Sequence, residues 1–377
     1  ELCKSDCDCI ALFTQRWMHG PQAVQALKAG KHVYSAVPAA VSLEELDELV
    51  KTVKETGLTY MLGETSYYRA QTTFCRNAFA TGKFGEFVYG EGQYHHDMAH
   101  FYHGYSRSNG DAWKRTASFP PMYYPTHSTA FILSVTFRRM TEVSCFGYVD
   151  HHVDGVFDPK LSLWGNVFSN ESALFRTSDG GMARVNEFRR TAHSMMDRMT
   201  ITGTHGCYQE QPREREGLLS NVFSWLDFPE GYGKDGVIPF ETAGKDVKLR
   251  MKDLNDLCVF NGVTVTEENI GNLPKEYLGK TFQGVSPFQP WQQLPVEFAG
   301  RKNGHEGTHV FLVNDFVRAV SQQKLPPNHV WLAARYNAPG IVAHESAKRD
   351  GERLAIPDFG LPPADWAVMD ETFPLQP

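Results

Sequence analysis

The sequence has no run of about 18 apolar residues, so no membrane-spanning helix is predicted. It has no basic excess. The formal net charge of −7 leaves nothing to gather a polyanion, so neither nucleic acid nor an acidic membrane surface is an expected partner. It has no secretory leader pattern, and it starts at Glu1 in what reads as mid-domain, so a preceding segment is expected to be missing. Nor is there a paired set of cysteines. Cys75, Cys145, Cys207 and Cys258 sit among apolar neighbours as small hydrophobes, and Cys3, Cys7 and Cys9 lack zinc-site spacing. A reducing compartment, the cytoplasm, is the expectation. Internal repeats and low-complexity tracts are absent too.

What is present reads as a globular chain whose 377 residues imply two domains. Cys9 to Thr14 is a continuous apolar run, as in a buried parallel strand. Pro21 opens a helix through Lys28 and Gly30 closes it. Lys31 to Val37 is a second strand. Ser42 and Glu45 form a capping box for a helix with apolar Leu46, Leu49, Val50 and Val53, ended by Gly57. Leu58 to Leu62 is a third strand, and Tyr68 to Ala80 a helix stopped by Gly82. This alternation predicts a parallel α/β sheet, with ligands at the carboxyl ends of its strands. The loops there are Thr14 to His19, Ser35 to Pro38 and Gly63 to Tyr67.

Beyond Gly85 the texture is that of an α+β domain with a largely antiparallel sheet. Strands are expected at Phe87–Tyr94, Glu142–Val149, Glu171–Thr177, Met182–Phe188 and Met199–Gly203. Helices are expected over Phe131–Arg138, Val310–Gln322 and Val330–Lys348, the last broken at Pro339-Gly340. Gln209 to Pro295, rich in Gly, Pro and charge, predicts long loops and a few strands.

The chemistry concentrates in Tyr124-Pro125-Thr126-His127. Imidazole moves protons at neutral pH unaided, phenol when pushed, and Pro125 stiffens the backbone between them. An isolated Tyr-x-x-His is more often a turn satisfying its own hydrogen bonds, so the rest of the chain must raise the odds. A rival reading rests on His96, His100 and His103, which would share one helical face beside Asp97 as a zinc or iron set. His151-His152-x-Asp154 reads as a surface turn.

Ala29-Gly30-Lys31-His32-Val33-Tyr34-Ser35-Ala36-Val37-Pro38 resembles the Gly-Lys-His-Val-x-x-Glu-Lys-Pro segment of the glucose-fructose oxidoreductase / inositol dehydrogenase (Gfo/Idh/MocA) family. The likeness runs through Ala338-Pro339-Gly340, His344-Glu345-Ser346-Ala347 and Ile356-Pro357-Asp358-Phe359. Within the family it is closest to the NAD-dependent α-N-acetylgalactosaminidase branch. The shared features are Val37-Pro38, Glu64-Thr65-Ser66-Tyr67, Tyr94-His95-His96-Asp97 and the full Tyr124-Pro125-Thr126-His127. Gly203-Thr204-His205-Gly206 and Gly304-His305-Glu306-Gly307 look like further turns of that branch.

The resemblance implies a partial, N-terminally truncated Rossmann domain over 1–83, without its first strand and Gly-rich loop. An α+β domain over 84–377 with a large, mainly antiparallel open sheet follows. It implies NAD, with NADP possible, contacted by Gln15, Arg16, Trp17, His19, Val37, Glu64 and Thr65. It places catalysis on His127, Tyr124 and Tyr94, and the substrate, a sugar or polyol, on Tyr94, Lys114, Arg115, Tyr124 and His127. No metal is implied. Open sheets in this family pair face to face, so a homo-oligomer is expected.

The sequence departs from the pattern at three points. It has no Gly-x-Gly-x-x-Gly within residues 1–83, it has Ala36 where the family has Glu, and it has Thr65 where the branch has Asn. Val37 cannot share proton transfer as the family Lys does, so His127 is the natural base, with Tyr124 or Tyr94 as partner. The expected activity is NAD(P)-dependent oxidation of a sugar or polyol. One alternative is glycoside cleavage through transient C3 oxidation and elimination, an exception to two-carboxylate hydrolysis. The other is a non-catalytic sugar-binding member.

Overall fold

A computed structural model describes residues 1–192, 196–212, 219–230, 232, 247–258, 262–370 and 372–376. Parts of the Gln209–Pro295 segment, and the side chain of Cys258, therefore lie outside the described residues.

The first layer is a parallel sheet of β1 (Cys9–Leu12), β2 (His32–Ser35) and β3 (Tyr60–Leu62), in that order. Helices α1 (His19–Lys28) and α2 (Leu43–Thr56) connect the strands. Leu46, Leu49, Val50 and Val53 of α2 are buried, as their spacing requires. The Ser42 hydroxyl caps the Glu45 N–H, but the Glu45 carboxylate reaches back to Val41 N rather than to Ser42. Helix α1 starts two residues before Pro21. The His19 ring is buried between the Pro38 and Thr14 carbonyls, tying the first turn to two strand-end loops. A 3-10 turn, Thr65–Tyr68, precedes α3 (Ala70–Ala80), so that helix begins later than predicted, after an extended Arg69.

The chain then enters β4 (Phe87–His95). Short helices α4 (Tyr102–Asn109) and α5 (Lys114–Ala117) follow, and then α6 (Thr126–Thr136). Next come β5 (Met140–Val149), β6 (Phe168–Thr177), β7 (Met182–Phe188), β8 (Met196–Gly203), β9 (Gly206–Pro212), β10 (Leu219–Asp227) and β11 (Lys248–Asp253). A single turn α7 (Asn255–Cys258) and the small β12 (Val263–Thr264) and β13 (Thr281–Phe282) lead to α8 (Thr308–Gln322), α9 (Val330–Lys348) and β14 (Leu354–Ala355). The main sheet has nine strands in the order β11-β10-β9-β8-β4-β7-β6-β5-β14. Only the β4–β7 pair is parallel in it.

Helix α6 begins five residues earlier than the sequence suggested, and every one of its residues is buried. It lies on the inner face of β4, and glycine makes this possible. A Cβ at Gly92 would stand 2.1 Å from the Ser128 carbonyl oxygen, and one at Gly90 would meet Ile132 at 2.9 Å. The alternation Gly90-x-Gly92-x-Tyr94 thus clears two positions for the helix and ends on an aromatic beside it.

Helix α9 runs unbroken through Pro339-Gly340, against expectation. Proline removes one helical N–H, and the packing of α9 holds the rest. Gly340 admits the Met122 carbonyl and the Pro125 ring, whose atoms would lie 2.1 and 2.5 Å from a Cβ there. The same helix reaches the first sheet, where Asn337 accepts from Ala39 N at 2.8 Å and donates to the Ala40 carbonyl at 3.3 Å. Gly340 and Asn337 therefore fix the Tyr124–His127 turn and the strand-end loops against one helix. Cys75 and Cys145 are buried as expected, and Cys207 is half-buried.

Candidate functional site

The end of β3, the start of α6 and the end of β4 converge. Glu64 follows β3, is wholly buried, and its Oε1 lies 2.8 Å from His127 Nδ1 on the first turn of α6. Its other local bond is from Ser66 N, at 2.8 Å. Burial pushes Glu64 toward its neutral form, but the adjoining imidazole outweighs burial and holds the carboxyl below its usual range. The reverse holds for His127. Burial opposes its charge, and the Glu64 carboxylate more than compensates, so its pKa is raised. Both shifts have one cause, a buried carboxylate–imidazole contact that favours the charged form of each group.

Two phenols flank the imidazole. The Tyr94 ring centroid is 5.1 Å from His127 and that of Tyr124 is 5.3 Å. The two tyrosine rings are 6.0 Å apart. Burial drives Tyr94 far above the ordinary phenol value, and it lifts Tyr124 to about 12 against the opposing charge of Arg16. Both are neutral hydrogen-bonding groups at physiological pH.

A cavity of about 230 Å³ opens over this trio, and Thr65, Arg69, Arg189, Asp197 and His305 complete much of its wall. Arg69 pairs with Asp197 at 2.5 Å and lies 3.4 Å from Glu306. Arg189 lies over the Tyr94 ring at 4.8 Å and pairs with buried Glu187 at 2.7 Å. Glu187 also accepts from the Ser128 hydroxyl, and burial raises its pKa to about 7 despite Arg189. His305 and Glu306 both have left-handed backbone, with φ of 47° and 57°. Such strain in a cavity wall is what functional loops tend to carry.

A second cavity, of about 360 Å³, adjoins the first. Gln15, Arg16 and Trp17 from the loop after β1 line it, with Tyr105 and Phe119 opposite. Trp17 packs edge-on to Trp164, with centroids 5.4 Å apart. Arg16 and Phe101 line both cavities.

The structure brings together Arg16, Glu64, Thr65, Tyr94, Tyr124 and His127, with Gln15 and Trp17 next door. His19 is a buried link between loops, and Val37 is a core residue. Lys114 donates to the Asp154 carbonyl at 2.6 Å, and Arg115 is exposed; neither lines either cavity. Sequence reasoning assigns no role to Arg69, Arg189, Asp197 or His305. Only His305 carried a signal, in Gly304-His305-Glu306-Gly307. In the His-rich stretch, His96 stacks on His100 with centroids 5.2 Å apart, while Asp97 accepts the N–H groups of Ala99 and Thr191. Among the described residues no three His, Cys, Asp or Glu side chains group to hold a metal ion.

Residues 1–64 match the model of an oxidoreductase family with an NAD-binding Rossmann fold. A glycosyl hydrolase family 109 protein of Streptomyces filamentosus is 24% identical over 375 residues, covering 95% of this chain and 64% of its own. The glycosyl hydrolase family 109 protein 2 of Shewanella sp. (strain ANA-3) is 33% identical over 126 residues, or 33% of this chain and 27% of its own. The chain thus spans less than two thirds of these curated relatives. Among solved structures, levoglucosan dehydrogenase in complex with NADH aligns at a TM-score of 0.63 and 14% identity, covering 95% of this chain and 82% of its own. An inositol dehydrogenase homolog from Azotobacter vinelandii, complexed with NADH and myo-inositol, aligns at 0.60 and 15% identity over 94% and 79%. These show the fold: a parallel Rossmann-like sheet joined to a large, mostly antiparallel one. The sequence matches make residues 1–64 similar to the NAD-binding domain of that oxidoreductase family, and the whole chain shares the fold of these dehydrogenases.

Proposed function

We propose that the protein is an NAD(P)-dependent oxidoreductase acting on a sugar or polyol, with residues 1–83 serving the cofactor and 84–377 the substrate. The observation that carries this is the buried Glu64–His127 pair flanked by Tyr94 and Tyr124, opening on a cavity large enough for one sugar ring.

The residues fit the nicotinamide end of the cofactor. The Thr65 hydroxyl is buried on the cavity wall with no hydrogen-bond partner among the described residues, as a carboxamide would require. Gln15 and Trp17 line the adjoining cavity beside it. Residues 1–83 hold no Gly-x-Gly-x-x-Gly, so the fit concerns that end. The chemistry that NAD supplies when bound is acceptance and return of a hydride.

The chain's own residues manage the proton. His127 Nε2 takes the proton of the substrate hydroxyl, and Glu64 on Nδ1 fixes the ring and strengthens it as an acceptor. Tyr94 and Tyr124, held neutral, hydrogen-bond the ring oxygens, and Arg189 steadies their faces. Lys114 and Arg115 are left without a substrate contact.

The family 109 relatives favour a second reading on the same residues. After oxidation at C3, His127 or a tyrosine removes the acidified C2 proton, the C1 substituent leaves, water adds and C3 is restored. To separate the two, incubate the protein with a nitrophenyl glycoside and NAD in deuterated water. Net NADH without cleavage supports the oxidoreductase. Cleavage with deuterium at C2 supports elimination. Neither outcome, with sugar still bound, supports a non-catalytic binder.

The outer sheet face exposes Phe146, Tyr148, Leu174 and Met182, each more than half accessible. This supports a homo-oligomer closed through that face, which light scattering on the purified protein tests. Among the described residues no helix is long and apolar enough to cross a membrane. Six described cysteines are free, which supports a cytoplasmic setting.

A further inference from the structure

Three guanidinium groups line the cavity over His127, and they are not equivalent. Arg69 is neutralised by Asp197 and Glu306, and Arg189 by Glu187. Arg16 makes no ion pair among the described residues. Its one side-chain hydrogen bond is to the Tyr105 hydroxyl, at 2.9 Å. Otherwise it lies against ring faces, 4.8 Å from the Tyr124 centroid and 5.4 Å from that of Phe119. The groups acting on its charge are Tyr105, Tyr124 and Tyr94, all phenols.

A half-buried guanidinium has five N–H donors in a rigid fork matched to a carboxylate. Here one donor is used, and the charge is shielded from bulk water without a counter-ion. That arrangement is costly unless a ligand completes it. Because Arg16 lines both cavities and lies over Tyr124, an anion on it would sit at the rim of the sugar pocket, within one ring's reach of His127.

We infer that Arg16 is a carboxylate-reading subsite and that the sugar this cavity takes is a sugar acid, a hexuronate or aldonate, rather than a neutral hexose. The inference rests on the sugar-site reading above and narrows its substrate class. The other source of an anion at this place is a cofactor phosphate, and the experiment separates the two.

The experiment is calorimetric titration of the protein with matched pairs, glucuronate against glucose and galacturonate against galactose. It is run on the wild type, Arg16→Met and Arg16→Lys, with ADP-ribose as a separate ligand. The expected result is at least a tenfold preference for one uronate over its hexose. Raised salt weakens that preference, Arg16→Met erases it and Arg16→Lys retains part of it. Equal binding of uronate and hexose by the wild type overturns the inference and leaves the sugar reading standing. A preference that survives in Arg16→Met also overturns it, as does an Arg16→Met effect confined to ADP-ribose. Failure of every sugar to bind overturns both. The wild-type ratio and its salt dependence decide the matter even if a variant fails to fold.

Discussion

His127 Nδ1 lies 2.8 Å from Glu64 Oε1, and no other carboxylate hydrogen-bonds that imidazole among the described residues. The contact joins the end of β3 to the first turn of α6, so the parallel sheet and the mixed sheet meet at the proposed proton acceptor. Asn328 donates to the Glu64 backbone carbonyl at 3.3 Å, holding the carboxylate's own residue in place from behind.

Glu64→Gln removes the charge that raises the His127 pKa while keeping a hydrogen-bonding side chain. His127 must be neutral to accept a proton, so the wild-type rate climbs as pH rises through its raised pKa. In the variant that limb moves to lower pH, and the maximal rate falls by up to about 10²-fold, at the low end of what a positioned acid–base group contributes. A pH–rate profile on whichever sugar is turned over reads the shift. NMR titration of the imidazole reads it without turnover, and an unmoved His127 pKa would refute the pairing.

Gly92→Ala places a methyl where the Ser128 carbonyl oxygen already stands 2.1 Å away. The obstacle is helix backbone, which cannot swing aside as a side-chain tip can. Helix α6 must lift from β4, at a cost of about 1–3 kcal/mol or more. Lifting it also separates His127 from Tyr94. The expected outcome is a lower melting temperature together with loss of sugar binding. A variant with wild-type values for both would show that the α6–β4 contact does not set the site.

Much of the first sheet was legible because its helices keep a solvent face and its strands are short apolar runs. In α2, Leu46, Leu49, Val50 and Val53 make an apolar stripe, with Gly57 to end it. Helix α6 could not be read that way. It is buried on all sides, so Ser128, Thr129 and Ser134 interrupt its apolar run without marking an exposed face. Its start at Thr126 therefore went unseen, although it puts His127 in place. Pro339 misled for a related reason: a local rule for helix breaking yields to the close packing that Gly340 allows. The Tyr124–His127 motif stands out by its Tyr and His chemistry, and likeness to known sequences raises the odds that it is a site. Arg189 and Asp197 arrive through strand pairing across long sequence gaps and Arg69 from the turn before α3, and no local pattern announces them.

Lys114 and Arg115 stand outside both cavities, and Lys114 is engaged with the Asp154 carbonyl. Replacing both with alanine is expected to change sugar affinity less than about twofold, within the usual small effect of surface substitutions. Calorimetry checks this. A loss of tenfold or more would return them to the substrate contacts that family resemblance implied.

His329 is buried at the start of α9, where its Nδ1 accepts from Leu332 N at 3.3 Å. Burial, aided by the charge of Arg335, lowers its pKa to about 3. In the unfolded chain a histidine titrates near 6.5. Above that pH both states are neutral and the residue's contribution is fully present. As pH falls below 6.5, only the unfolded state gains the proton, and stability drops by about 1.4 kcal/mol per pH unit from this residue until the folded pKa is reached. His329→Asn keeps a capping acceptor and cannot titrate. Urea denaturation between pH 6.5 and 4 is expected to give a shallower fall in unfolding free energy for the variant than for the wild type. The comparison is of slopes, because the smaller side chain lowers stability at every pH, and equal slopes would mean that His329 is not the group that protonates on unfolding.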